Sequence, residues 1–166
     1  MSADSLDVLL GRQAKDLVLA MTFAVKDLRG SYARHPVEEI YAHNEIYFSA
    51  HRQNLLRGNM QPLIDFADMI TRKRALDRFR LHELLRAAFG FKKAVYPLLL
   101  EHFWDHRDEL VKSLLLVDRS VDRFVVNLAQ AFVHYAKEDL ARGPLEFPVW
   151  LNARPFQSER ELVEDA

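Results

Sequence analysis

The sequence predicts an all-α bundle of about five to seven helices that ends in one long helix and an irregular proline and aromatic tail. Three observations carry this expectation. Arg107 to Leu140 holds no proline or glycine. Within it Leu110, Leu114, Val117, Val121, Phe124 and Leu128 recur at steps of four and three, the spacing that keeps side chains on one seam of a helix. From Gly143 the pattern changes, because Pro144, Pro148 and Pro155 interleave with Phe147, Trp150 and Phe156. The expected organisation is therefore a helical domain over 1–142 and an extended tail over 143–166.

The long helix also carries a second stripe, Val111, Leu115, Val125, Ala129, Phe132 and Ala136. Apolar surface then covers more than the roughly 100° that a helix lying on one core needs. At about 1.5 Å per residue the helix is on the order of 50 Å long, against a radius of gyration of about 15 Å for a compact chain of this size. One stripe is expected to face the chain's own core and the other a second copy. The seam from Leu110 to Leu128 is the expected homodimer interface.

The first helix is expected from Asp4 or Ser5, either a good N-cap, to Leu28, with Leu10, Ala14, Leu17, Met21 and Val25 inward and Gly11 loosening its first turns. Gly30 ends it. His35-Pro36 opens the second helix, which Gly58 closes as a C-terminal cap. Along it run Val37, Ile40, Tyr41, Asn44, Tyr47, Phe48, His51 and Leu55. A buried amide and imidazole among aromatics need hydrogen-bond partners. Asn44, Tyr47, Phe48 and His51 are thus the candidate ligand pocket, set against a satisfied polar pair in an ordinary core.

Asn59 caps a third helix with Pro62 in its first turn, ending near Phe79. Its last turns hold Arg72, Lys73, Arg74, Arg78 and Arg80, which suit the negative end of a helix dipole as a solvated helix end, with a phosphate or acidic-partner site as the alternative. A fourth helix starts near Leu81 and carries Leu84, Ala88, Phe91, Val95, Leu98 and His102 along one side; Pro97 should kink or divide it. In the long helix Asp118, Arg119, Asp122 and Arg123 form a charged band able to fix register between two such helices, or simply a solvated strip.

At 166 residues with 49% hydrophobic composition, the chain supports one sizeable core. Its 23 Lys plus Arg and 24 Asp plus Glu give a net charge of -1, so the global field draws neither nucleic acid nor an anionic membrane. No cysteine is present, which removes disulfides, thiolate nucleophiles and Cys-ligated metals. The apolar run from Leu17 to Val25 falls well short of the roughly 20 residues of a membrane span, and the acidic start lacks a secretory n-region. A cytoplasmic protein is expected.

Motifs for chemistry are sparse. His102 and His106 sit at the i, i+4 spacing of half a zinc site, without a third ligand. Leu81-His82-Glu83-Leu84 resembles the phosphoacceptor box of sensor kinases, without the proline or ATP-binding region that would support it. A haem would need His51, His102 or His134 in an apolar crevice. No glycine-rich phosphate loop, dinucleotide fingerprint or nucleophile elbow appears. Neither a cofactor nor an enzymatic activity is expected.

Arg74-Ala75, Phe79, Leu81, Glu83-Leu84-Leu85-Arg86-Ala87, and Leu116-Val117-Asp118-Arg119 with Asp122 resemble the N-terminal domain of RsbR-type stressosome proteins, loosely over residues 5 to 140. The resemblance implies a globin-like fold without haem, dimerised through its terminal long helix and serving as a sensory input to a stress response. It transfers no ligand residues. The family usually continues into a STAS domain, for which the 26 residues after Leu140 are too few, so the expectation is either an isolated sensor domain or a stand-alone relative. The expected function is a non-enzymatic sensory or regulatory module that dimerises and relays a signal by helix repacking or through a protein partner. A ligand- or haem-binding globin-like sensor and a histidine phosphotransfer protein are the alternatives.

Overall fold

The computed structural model describes residues 3–142; the proline and aromatic tail lies outside them. By its internal packing the chain divides into units 1–136 and 137–166. Described here are seven α-helices and one 3-10 turn, an all-α architecture: α1 (Ala3–Arg12), α2 (Ala14–Lys26), the 3-10 turn Ser31–Arg34, α3 (Val37–Arg57), α4 (Gln61–Leu76), α5 (Leu81–Ala88), α6 (Gly90–Phe103) and α7 (Arg107–Arg142).

The expected first helix is two. Gln13, with φ -99° and ψ 7°, separates α1 from α2, yet its N–H still reaches the Leu9 carbonyl at 3.2 Å and its carbonyl accepts from Leu17 at 2.9 Å. The break is a kink. Gly11 has a packing role nearby, since a Cβ there would stand 3.2 Å from the Arg52 guanidinium, and Arg52 is ion-paired with Asp7. Gly58 closes α3 in the left-handed region at φ 64°, as expected of a glycine cap. Asn59 Oδ1 accepts from the Gln61 N–H at 3.1 Å.

Pro97 does not divide the fourth helix. α6 runs through it, because Pro97 and Lys93 lie on the exposed side, where water can hydrogen-bond the freed carbonyl. The division falls at Phe89 and Gly90 instead. Gly90 is packed under α2, with its Cβ position 3.7 Å from Val25 and 3.9 Å from the Met21 carbonyl. Leu99 is buried, whereas Leu98 is half-buried and His102 exposed.

The core centres on Tyr47. Its ring stacks on Phe66 at 5.2 Å and meets Phe124 at 4.6 Å and His51 at 4.5 Å, so α3, α4 and α7 share one aromatic cluster. The Tyr47 hydroxyl donates to the Ala88 carbonyl at 2.8 Å, which ties in α5. α7 is also held by polar contacts. Lys92 of α6 pairs with Asp118 at 2.6 Å and Asp122 at 3.4 Å, and Tyr135 donates to Asp68 of α4 at 2.5 Å.

Candidate functional site

Two features stand apart from ordinary packing. The first is a small cavity walled on one side by a buried guanidinium, and the second is the outward face of α7.

Arg74 is only 1% exposed. Ile70, Thr71 and Arg74 share the inward face of α4 with Leu63, Phe66 and Ala67. The chain then turns sharply at Arg78, φ 57°, and brings Phe79 back with its N–H on the Arg74 carbonyl at 3.0 Å. The guanidinium lies over the Phe79 ring at 4.8 Å and the Tyr32 ring at 5.5 Å, a cation–π arrangement on two faces. Its charge is met by Glu39 at 3.0 Å and Asp77 at 3.3 Å. His35 Nδ1 and His43 Nδ1 stand 2.9 and 3.2 Å from its terminal nitrogens, while Nε has no partner among the described residues.

This setting governs the neighbouring ionisations. Burial, followed by the charges of Arg74 and Lys73, lowers the His43 imidazole to about 4, which leaves it neutral and able to accept from Arg74. Burial raises the Glu39 carboxyl, but the hydrogen bond from Lys73 and the charge of Arg74 outweigh it and hold the group at about 2. Tyr32 is pushed up to about 12, first by burial. With Glu39 and Asp77 against it, the Arg74 guanidinium is a paired rather than an uncompensated buried charge.

Beside it lies a cavity of about 40 Å³. Tyr32, His43, Asn44 and Arg74 form its polar side; Ile40, Tyr47, Phe66, Phe124 and Leu128 are among its apolar walls. It has room for about two or three waters or one molecule of similar size. A haem does not fit. Of the four expected pocket residues, Asn44 and Tyr47 line the cavity, while Phe48 and His51 do not. Phe48 packs towards Phe91, centroids 6.0 Å apart.

His51 is fully buried and belongs to a different arrangement. Its Nδ1 is 2.7 Å from Ser120 Oγ, which also accepts from Asn54 Nδ2 at 2.7 Å. Nε2 has no partner among the described residues and the ring stacks on Phe91 at 4.1 Å and 12°. Burial alone lowers this imidazole to about 3. It is a neutral core histidine.

Reading the basic residues after Ile70 as a solvated helix end is corrected at Arg74. The signal was present in the spacing: Leu63, Ala67, Ile70 and Arg74 follow at steps of four, three and four, so Arg74 occupies the next seam position. Arg72 keeps an exposed place over the Tyr135 ring at 5.3 Å. In the candidate phosphoacceptor box, His82 is exposed. Glu83 is committed to holding α5, accepting from the Ser31 N–H and hydroxyl at 2.8 and 3.1 Å and from the Arg80 N–H at 2.9 Å. His102 and His106 lie on either side of the α6–α7 corner, and among the described residues no three His, Asp or Glu side chains converge as metal ligands.

The expected dimer seam is also corrected. Val117 and Val121 are 0% exposed, and Phe124 and Leu128 are 2% exposed, within one protomer; Leu110 and Leu114 are half-buried against the same core. Residues already enclosed by α3, α4 and α6 have no surface left for a second copy. The opposite side of α7 does. Val111, Leu115, Val126 and Val133 are 47% to 56% exposed. Phe124 and Leu115 stand about two and a half turns apart at ~3.6 residues per turn, as do Val117 and Val126, so the two sets point in opposite directions. α7 thus has a second apolar face, but it does not follow the expected second stripe: Val111 and Leu115 of that stripe are exposed, whereas Val125 and Phe132 pack against the core.

None of the described helices is long and apolar enough to cross a membrane. The chain matches no protein-family model, no curated protein and no solved structure.

Proposed function

We propose that this chain is a non-enzymatic regulatory module that works as a homodimer, with the outward face of α7 as the dimer contact and the Arg74 cavity as the place where a signal enters. The observation that carries the reading is the double role of one helix: Phe124 and Leu128 wall the cavity from inside, while Leu115 and Val126 of the same helix stand uncovered outside. A molecule that fits the cavity better in one setting of α7 than in another would shift that helix by its difference in affinity. The outer ridge moves with it. Dimerisation through the terminal long helix and a sensory role are also what the resemblance to RsbR-type input domains implies.

Sedimentation equilibrium over a range of concentrations tests the dimer. Twice the chain mass is expected for the unaltered protein, and a monomer for Leu115→Glu combined with Val126→Glu, with helicity and melting temperature preserved. A wild-type mass of 19.4 kDa at every concentration would sink the proposal.

A further inference from the structure

The outer ridge of α7 is interrupted by charge in a symmetric way. Between Leu115 and Val126 stand Arg119 and Asp122, both exposed. The pairs Leu115 with Val126 and Arg119 with Asp122 share one midpoint, between Ser120 and Val121. A two-fold axis through that point sets Leu115 against the partner's Val126 and Arg119 against the partner's Asp122, twice over. A parallel, in-register pair would instead set Asp122 against its own copy and Arg119 against its own copy. Like charges directly opposed at an interface are costly.

We infer that two copies of this chain pair through α7 in antiparallel orientation, with Arg119 and Asp122 setting the register. The inference rests on the dimer proposed above and adds its geometry. Asp122 is available for the role: its side chain is 69% exposed and touches Lys92 only at 3.4 Å, while Lys92 lies closer to Asp118, at 2.6 Å. Among the described residues Arg119 has no acidic partner in its own chain. Beside Val126 a shallow groove lined by Met60, Ile64, Asp122 and Asn127 runs between α4 and α7, and it faces the position that the partner's Leu115 would take. Such an isologous contact closes on itself and forms a dimer rather than a filament.

The chain has no cysteine, so introduced thiols report the geometry directly. Leu115→Cys and Val126→Cys are made separately and oxidised alone and as an equimolar mixture. The inference expects a disulfide between the two different variants and little within either one, because like positions are about 16 Å apart along the paired helices at ~1.5 Å per residue and beyond disulfide reach. Self-crosslinking of either single variant, or no crosslinking in a protein of dimeric mass, overturns the antiparallel register and leaves the dimer standing. A monomeric mass removes both. The charge pair is tested by reversal: Arg119→Glu should weaken the dimer about tenfold, and adding Asp122→Arg should restore it to within about threefold. Absence of that rescue overturns the role given to the pair.

Discussion

His51 Nδ1 and Ser120 Oγ meet at 2.7 Å in a fully buried setting and bind the middle of α3 to the middle of α7. Asn54 donates to the same hydroxyl, so one serine satisfies two core side chains. Removing it as Ser120→Ala leaves an imidazole nitrogen and an amide without partners. The expected cost is about 1 to 3 kcal/mol, measured by urea denaturation at neutral pH. A change within error would mean that a water takes over the hydroxyl's place.

Acid should destabilise the protein through its buried imidazoles. His43 and His51 are lowered from 6.5 to about 4 and about 3 in the fold. The unfolded chain therefore binds more protons over those windows, and stability rises with pH across them. It falls as pH drops from 6.5 towards 4, and His51 continues the slope to about 3. Glu39, held at about 2 against an ordinary 4.5, adds a loss of the same sign below pH 4.5. His51→Gln should flatten the dependence between pH 6.5 and about 4, read from urea midpoints; an unchanged slope would contradict a neutral His51.

Arg74 should be intolerant of lysine. A compact ammonium cannot span Glu39 and Asp77 while stacking on Phe79 and Tyr32. Arg74→Ala should cost about 3 to 5 kcal/mol, since it strips the cation from a network built around it, and Arg74→Lys should recover less than half of the loss. Thermal melts of the two variants decide this. Near-wild-type stability in Arg74→Ala would show that the carboxylates turn to water freely.

The two faces of α7 should respond oppositely to substitution. Phe124→Ala opens a void beside Tyr47 and Phe66 and should cost about 3 to 5 kcal/mol. Val126→Glu, on a 56% exposed residue, should change stability by less than about 0.5 kcal/mol in the monomer while weakening self-association. Circular dichroism melts paired with sedimentation separate the two effects. Equal destabilisation by both would contradict the assignment of inside and outside.

Punctuation and periodicity were legible without coordinates. Gly58 and Asn59 mark the junction of α3 and α4 through local backbone and capping chemistry, and the spacing along α7 declares a helix apolar on more than one side. Breaks at Gln13 and Phe89 were not legible. Neither is a proline or glycine, although Gly90, which follows Phe89, packs in ordinary contact with Val25 and the Met21 carbonyl. Pro97, the strongest local breaker, does not divide α6, because its face meets solvent.

By itself the sequence determined the helical class, the length of α7 and the spread of apolar residues over more than one side of it, since these depend on spacing along a single chain. Which seam lies inside was decided only by tertiary structure. The seam carrying Phe124 can join an aromatic cluster with Tyr47 and Phe66, burying more apolar area than the valines and leucine opposite. Arg74 follows the same rule. Its position on an inward seam was written in the spacing, but its burial became tolerable only when the chain brought Glu39, Asp77 and the rings of Tyr32 and Phe79 around it, from segments that no local pattern joins.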